Sequence, residues 1–248
     1  MTWLVLGQSV AGTAHRGRNT PCQDAFRFKT LGPAGEWLVV AVADGAGSAS
    51  HSQTGAELAC EAIVGRAGEW GPTGLGSVEK LTELVTTARA AVLEEAERLG
   101  VPPRELACTL LVAAVGPEGG VGAQIGDGAV VLGDGGDAYR VAVWPEPSEY
   151  ANCTHFLTDD TFPEGLRVEA LTGPVSEISA FTDGLQRLAL DFAARGPYAD
   201  FFRPMFATLR KAADPTELTE PLRAFLDSDR VNARTDDDKT LVLAARRT

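Results

Sequence analysis

The sequence predicts an α+β domain in which antiparallel strands are layered beside segregated helices. Three observations carry this expectation. Apolar β-type runs occur near both ends of the chain and in its middle. Three of them, at 108–115, 121–125 and 129–132, follow one another with Gly-rich turns between, as in an antiparallel meander. The helical stretches are segregated from these strands, whereas a parallel sheet would alternate the two.

In chain order, 3–10 reads as a first strand. The run WLVVAVA at 37–43 is continuously apolar and is ended by Asp44-Gly45, which suits a strand buried on both faces. A helix over 52–67 carries Ala56, Ala59, Cys60 and Ile63 on one face. A longer helix over 78–99 has the stripe Leu81, Leu84, Val85, Ala88, Val92 and Ala96, and Gly100 stops it. After the meander, 138–144 adds a strand around Tyr139, and 145–175, rich in Pro, Gly and acids, reads as irregular. A strand over 177–182 ends at Asp183-Gly184. Helices follow at 185–194, 199–212 and 217–226, and a last strand spans 240–245. There is no internal repeat and no long linker, so residues 1–248 are expected to form one domain.

Composition narrows the function. The 248 residues hold 22 basic and 34 acidic side chains, for a net charge of −12. That excess opposes nucleic-acid and anionic-membrane partners, which are bound through Lys and Arg. No apolar run approaches the roughly 18–20 residues of a membrane span. The start of the chain has no basic residue before its short apolar stretch, as a signal peptide would, so a cytoplasmic protein is expected. Cys22, Cys60, Cys108 and Cys153 form no CxxC pair and read as free thiols. The sequon at Asn152 reads as chance.

Aspartates mark the strand ends. VAVADG closes on Asp44, AQIGDG on Asp127 and SAFTDG on Asp183; Asp236-Asp237-Asp238 precedes the last strand, and Gln23-Asp24 follows the first strand and its loop. A single Asp-Gly is ordinarily a turn. Several carboxylates on one rim of a sheet repel one another unless a cation lies between them. Oxygen ligands without nearby His or Cys suit Mg²⁺ or Mn²⁺; zinc is disfavoured, because His15, His51 and His155 have no ligand spacing. A pair of such ions about 3.5–4 Å apart can activate a water for in-line attack at phosphorus.

The ordered set Gln23-Asp24-Ala25, Asp44-Gly45-x-Gly47, Gly126-Asp127, Thr182-Asp183-Gly184-Leu185 and Asp237-Asp238-x-Thr240 resembles the type-2C (PPM) metal-dependent protein phosphatases, over residues 9 to 245. The SxxGxxH…PCQDA opening resembles their compact bacterial branch. The resemblance implies a four-layer α-β-β-α sandwich of two mainly antiparallel sheets. It implies that Asp44 bridges two metals, that the Gly45 carbonyl binds one, and that Asp183 and Asp237 complete the other. Asp127, with Asp183, matches a third, looser site, and Asp24 would hold a water on the metals. Asp238 stands where relatives often carry Asn, and a hydrogen-bonding role is expected of it.

The sequence departs from that pattern at defined places. Gln23 replaces a metal-binding Glu, and a neutral amide is a poorer ligand for a hard dication. Asn19 occupies the position of a phosphate-clamping Arg, with Arg16 and Arg18 beside it as candidates. Ala46 replaces a His that protonates the leaving group in some members; His51 is a nearby substitute, and His15 is expected to order its loop. The segment between Asp127 and Asp183 is short, so the substrate flap is trimmed or rebuilt from 145–175.

The function expected is hydrolysis of phosphoserine and phosphothreonine in proteins by a monomer using two, or with Asp127 three, Mn²⁺ or Mg²⁺ ions. A Ser/Thr kinase is the partner the resemblance implies. The alternative, favoured by Gln23 and Ala46, is a pseudophosphatase that binds a phosphoprotein or kinase without efficient turnover. A third reading takes the Asp-Gly pairs as mere turns of an acidic domain.

Overall fold

The computed structural model describes residues 2–136, 138–145 and 154–247. In chain order the elements are β1 (Trp3–Val10), α1 (Thr13–Gly17), β2 (Ala25–Leu31), β3 (Trp37–Ala43), α2 (Ser52–Trp70), α3 (Val78–Leu99), β4 (Leu110–Gly116), β5 (Gly119–Ile125), β6 (Ala129–Gly133) and β7 (Tyr139–Val141). There follow α4 (Phe162–Gly165), β8 (Arg167–Leu171), β9 (Glu177–Phe181), α5 (Gln186–Ala189), β10 (Leu190–Asp191), β11 (Gly196–Pro197), α6 (Ala199–Lys211), α7 (Thr219–Leu226), α8 (Asp229–Asn232) and β12 (Lys239–Arg246). One sheet runs β1-β12-β9-β6-β7 and the other β2-β3-β4-β5-β8; every pairing is antiparallel.

Side-chain alternation explains the continuous apolar runs. In β3, Val39, Ala41 and Ala43 pack under α2 and α3, while Leu38, Val40 and Val42 face the other sheet. In β12, Leu241, Leu243 and Ala245 pack under α6 and α7, while Val242 and Ala244 face inward. Three apolar layers therefore separate four layers of secondary structure, and the expected α-β-β-α sandwich is what forms. Ser77 caps α3 by accepting the Lys80 N–H, and Gly100, in the left-handed region, ends it.

Several elements differ from expectation. The expected meander divides: β4 and β5 pair, but β6 crosses to the other sheet and pairs with β9 and β7. The crossing is made at Gly126-Asp127-Gly128, with Gly126 at φ 98°. The helix expected over 185–194 is one turn, α5, followed by the β10–β11 ribbon. Asp191 Oδ1 accepts the N–H groups of Ala193 and Ala194, and that local bond displaces the helix. Within 145–175, α4 and β8 are regular, and β8 forms the edge beside β5. The rest of the expected flap, including Asn152 and Cys153, lies outside the described residues where it falls in 146–153. β2, α1 and α8 are additional, and α2 runs one turn further than expected. Cys22, Cys60 and Cys108 are free thiols. Among the described residues no helix is long and apolar enough to cross a membrane.

Candidate active site

Strand register alone gathers the aspartates. Ala25 pairs with Ala43, so one residue further Asp24 faces Asp44. Ala129 pairs with Phe181, so two residues further Asp127 faces Asp183. Leu241 pairs with Phe181, which brings the segment before β12, with Asp237 and Asp238, to the same rim. Gly184 lets these backbones meet, because a Cβ there would lie 2.1 Å from the Asp238 carbonyl oxygen.

The cluster is electrostatically costly without a cation. Burial raises the pKa of Asp44 well above the ordinary value, and the charges of Asp24 and Asp183 raise it further. Burial also pushes Asp183 up to about 6, aided by Asp127 and Asp237. Asp24 is raised by burial and then by Asp238, and Asp127 by burial. Like charges brought as close as those of Asp44 and Asp183 disfavour ionisation of both. Asp237 is exposed at the rim.

Hydrogen bonds hold each group in place. Asp44 lies in a two-way backbone clasp with Thr109, its N–H donating to Thr109 Oγ1 (3.1 Å) and its carbonyl accepting the Thr109 N–H (2.8 Å). Asp24 Oδ2 accepts from Thr182 Oγ1 at 2.8 Å, and Thr182 Oγ1 in turn accepts the Thr240 N–H. Asp127 accepts from Thr154 Oγ1, and Gln186 Nε2 donates to the Asp127 carbonyl. Asp238, only 2% exposed, accepts the N–H of Gly12 at 2.7 Å and of Gln23 at 2.6 Å, with His15 Nδ1 at 2.8 Å. Its hydrogen-bonding role is thus realised, and His15 does order its loop. Thr109, Thr154 and Gln186 were not singled out by the sequence, which carries no local signal for them, and Thr182 stood in the Thr182-Asp183-Gly184-Leu185 motif without a role of its own.

The remaining candidates fall as follows. Gly45 bridges to Cys108, and a Cβ there would press on the Gln23 carbonyl oxygen at 2.7 Å. Arg16 is exposed and paired with Asp227 at 2.6 Å; Arg18 is exposed and forms no ion pair among the described residues. His51 Nδ1 lies 2.7 Å from Ser50 Oγ, which donates to Glu105 at 2.8 Å, so the ring is anchored beside α2.

The donor set fits a hard dication. Gln23 Oε1, Asp24 Oδ1 and Asp183 Oδ1 are buried oxygens with no hydrogen-bond partner, and buried acceptors are rarely left so. Among the described residues no three His, Cys, Asp or Glu side chains are already drawn round one point. Raised carboxyl pKa values favour protonation over ionisation in such a cluster, and a bound cation would reverse that preference.

Residues 11–227 match the protein phosphatase 2C family. The chain is 41% identical, over 251 residues and 98% of each chain, to serine/threonine-protein phosphatase 3 of Escherichia coli (strain K12). Its fold is similar to that of RsbX in complex with magnesium, at a TM-score of 0.59 and 15% identity, covering 98% of this chain and 94% of RsbX. It is also similar to serine/threonine phosphatase Stp1 from Staphylococcus aureus, at 0.61 and 14%, covering 100% and 96%. A sex determining protein of C. elegans matches at 0.69 and 14%, covering 100% of this chain and 66% of that one.

Proposed function

The chain belongs to the protein phosphatase 2C family, and from that premise we propose that it is a metal-dependent phosphatase acting on phosphoserine and phosphothreonine in proteins. The observation that carries the mechanism is the gathering of Asp24, Asp44, Asp127 and Asp183 on one rim, with their carboxyl pKa values raised by burial and mutual repulsion. Asp44, the Gly45 carbonyl, Asp183 and Asp237 would hold two Mn²⁺ or Mg²⁺ ions, and Asp127 with Asp183 a third. When bound, such ions supply an activated water and offset the charge that gathers on the phosphoryl oxygens.

The chain's own residues prepare the rest. Thr182 fixes Asp24 and leaves Oδ1 free to accept a hydrogen bond from a water in the site. The Thr109 clasp fixes Asp44 at the end of a buried strand, so its carboxylate needs little reorganisation. Gln23 Oε1 contributes a neutral acceptor beside Asp24. Ala46 can give the leaving oxygen no proton, so that proton comes from solvent. With Arg16 engaged by Asp227, Arg18 is the freer cation for the substrate phosphate. Five retained acids favour turnover over a binding-only role, because holding a partner does not require them.

The biological setting follows by the same inference: one domain over 1–248, a cytoplasmic monomer, phosphoprotein substrates and a cognate Ser/Thr kinase. The test is phosphate release from a phosphothreonine peptide and from p-nitrophenyl phosphate in Mn²⁺, in Mg²⁺ and in EDTA. Hydrolysis with either metal and none in EDTA is expected; no hydrolysis under any condition overturns the proposal.

A further inference from the structure

A cleft of about 570 Å³ opens between the β10–β11 ribbon, α6 and the α7–α8 end of the chain. Its volume is within the roughly 300–1,000 Å³ of ordinary ligand sites. Arg187, Arg230 and Arg234 line it, all three exposed and without an ion pair among the described residues. Phe192 and Tyr198 stand on its rim at 49% and 51% exposure, two of the three large apolar side chains most open to solvent among the described residues. Phe192 is propped edge-on against Trp144 with ring centroids 5.7 Å apart, so its exposure is supported by packing.

The cations are not neutralised from within. The cleft's two carboxylates are otherwise engaged: Asp191 caps its own turn, and Asp200 pairs with Arg203 at 2.9 Å. In a chain of net charge −12, three free arginines around an aromatic rim are a local reversal of sign. The cleft is also tied to the site on both sides. Arg187 follows Asp183 by four residues and Arg234 precedes Asp237 by three, so their Cα atoms lie within about 14 Å and 11 Å of those aspartates. An extended peptide with its phosphoresidue at the aspartates could reach Arg187 and Arg234 within about four residues.

We infer that this cleft binds the polypeptide flanking the phosphorylated residue, selecting substrates with acidic side chains within about four residues of the phosphate and an apolar side chain for the Phe192–Tyr198 rim. The occupant is a protein segment, since the overall negative charge opposes nucleic acid and anionic membranes alike. The inference rests on the phosphatase reading of the neighbouring site, and it adds the substrate preference that reading leaves open.

Two arms test it. In the first, kcat/KM is measured with Mn²⁺ on two phosphothreonine peptides that differ only in Asp/Glu or Lys flanks, and on p-nitrophenyl phosphate. The protein should favour the acidic peptide by about fivefold or more through KM, as three exposed ion pairs allow, with the advantage shrinking in salt. The triple variants R187Q/R230Q/R234Q and R187E/R230E/R234E should respectively lose and invert the preference, while p-nitrophenyl phosphate hydrolysis stays within about twofold because a small substrate does not reach the cleft. In the second arm, an unphosphorylated acidic peptide is titrated into metal-free protein and followed by NMR. Amide shifts should concentrate at 187–198 and 230–234. A preference that survives both triple variants, no preference in the parent protein, or shifts elsewhere overturns the inference. Absence of p-nitrophenyl phosphate hydrolysis overturns the phosphatase reading instead, and the NMR arm still decides the cleft.

Discussion

Asp238→Ala removes a carboxylate that holds three segments of the site together. Its oxygens accept the backbone N–H groups of Gly12 and Gln23, and His15 Nδ1 lies 2.8 Å away. The alanine variant leaves two buried backbone donors, and the buried His15 ring, without their partner. Hydrogen bonds to a buried charge contribute about 1.5–3 kcal/mol each, and breaking such a group by removing one side costs about 3–5 kcal/mol in total, since the terms do not add. An opposing effect is the relief of repulsion on Asp24. It is the smaller one, because burial drives Asp24 toward its neutral form before the charge of Asp238 acts. At about 2 °C per kcal/mol for a chain of 248 residues, the melting temperature should fall by about 6–10 °C. Asp238→Asn keeps one acceptor oxygen but turns an amide N–H₂ toward a donor, and should lose about half as much. The assay is thermal unfolding followed by circular dichroism in EDTA, so that no change in metal binding contributes. An Asp238→Ala melting temperature within 2 °C of the parent (about 1 kcal/mol or less) would refute the reasoning.

Three further outcomes follow from the same geometry. Asp44→Ala, unlike Asp238→Ala, orphans no backbone donor and relieves mutual repulsion; the metal-free variant should melt no lower than the parent in a thermal scan, and Mn²⁺ should stabilise it less. Because Asp183 is raised to about 6 and Asp24 and Asp44 are raised with it, the folded state binds extra protons. That stability is fully present below the ordinary carboxyl range and is lost as pH rises through about 6, so metal-free protein should melt higher at pH 5 than at pH 7.5 in scans at fixed ionic strength. With Ala46 supplying no proton, p-nitrophenyl phosphate should be hydrolysed much faster than a phosphoserine peptide in side-by-side initial rates, and equal rates would reveal an acid among the neighbours, with His51→Ala the first variant to examine.

The parts of the fold that were legible in the sequence are those where one residue pattern admits one structure. α3 has a full apolar stripe, a Ser cap and a Gly stop, and it forms over the residues expected. β3 and β12 are apolar at nearly every position because they sit between two packed layers. β2 was legible too, since Phe26, Arg27, Phe28 and Lys29 alternate apolar and polar as a half-buried edge strand does, although no strand was expected there. The sheet change at β6 was invisible for a deeper reason: alternation of Ala129, Val130, Val131 and Leu132 is the same whichever sheet receives the strand. The 185–194 helix failed where a tertiary turn, with its Asp191 cap, outcompeted a helical pattern. In the site, the aspartates were legible because five of them end or precede strands in order. The threonines and backbone donors that hold them come from segments up to 226 residues apart, and no local pattern announces those partnerships.

The central claim is that Asp44 and its neighbours hold the metal that makes this chain a phosphatase. The most direct measurement is the initial rate of p-nitrophenyl phosphate hydrolysis by EDTA-stripped protein as Mn²⁺ is titrated back, with Asp44→Ala run in parallel. The parent should recover from no activity to full activity, faster with Mn²⁺ than with Mg²⁺ because Gln23 weakens one set of ligands. Asp44→Ala should remain lower by about three orders of magnitude or more at every metal concentration. Full activity of the parent in excess EDTA, or wild-type rates from Asp44→Ala, would contradict the account.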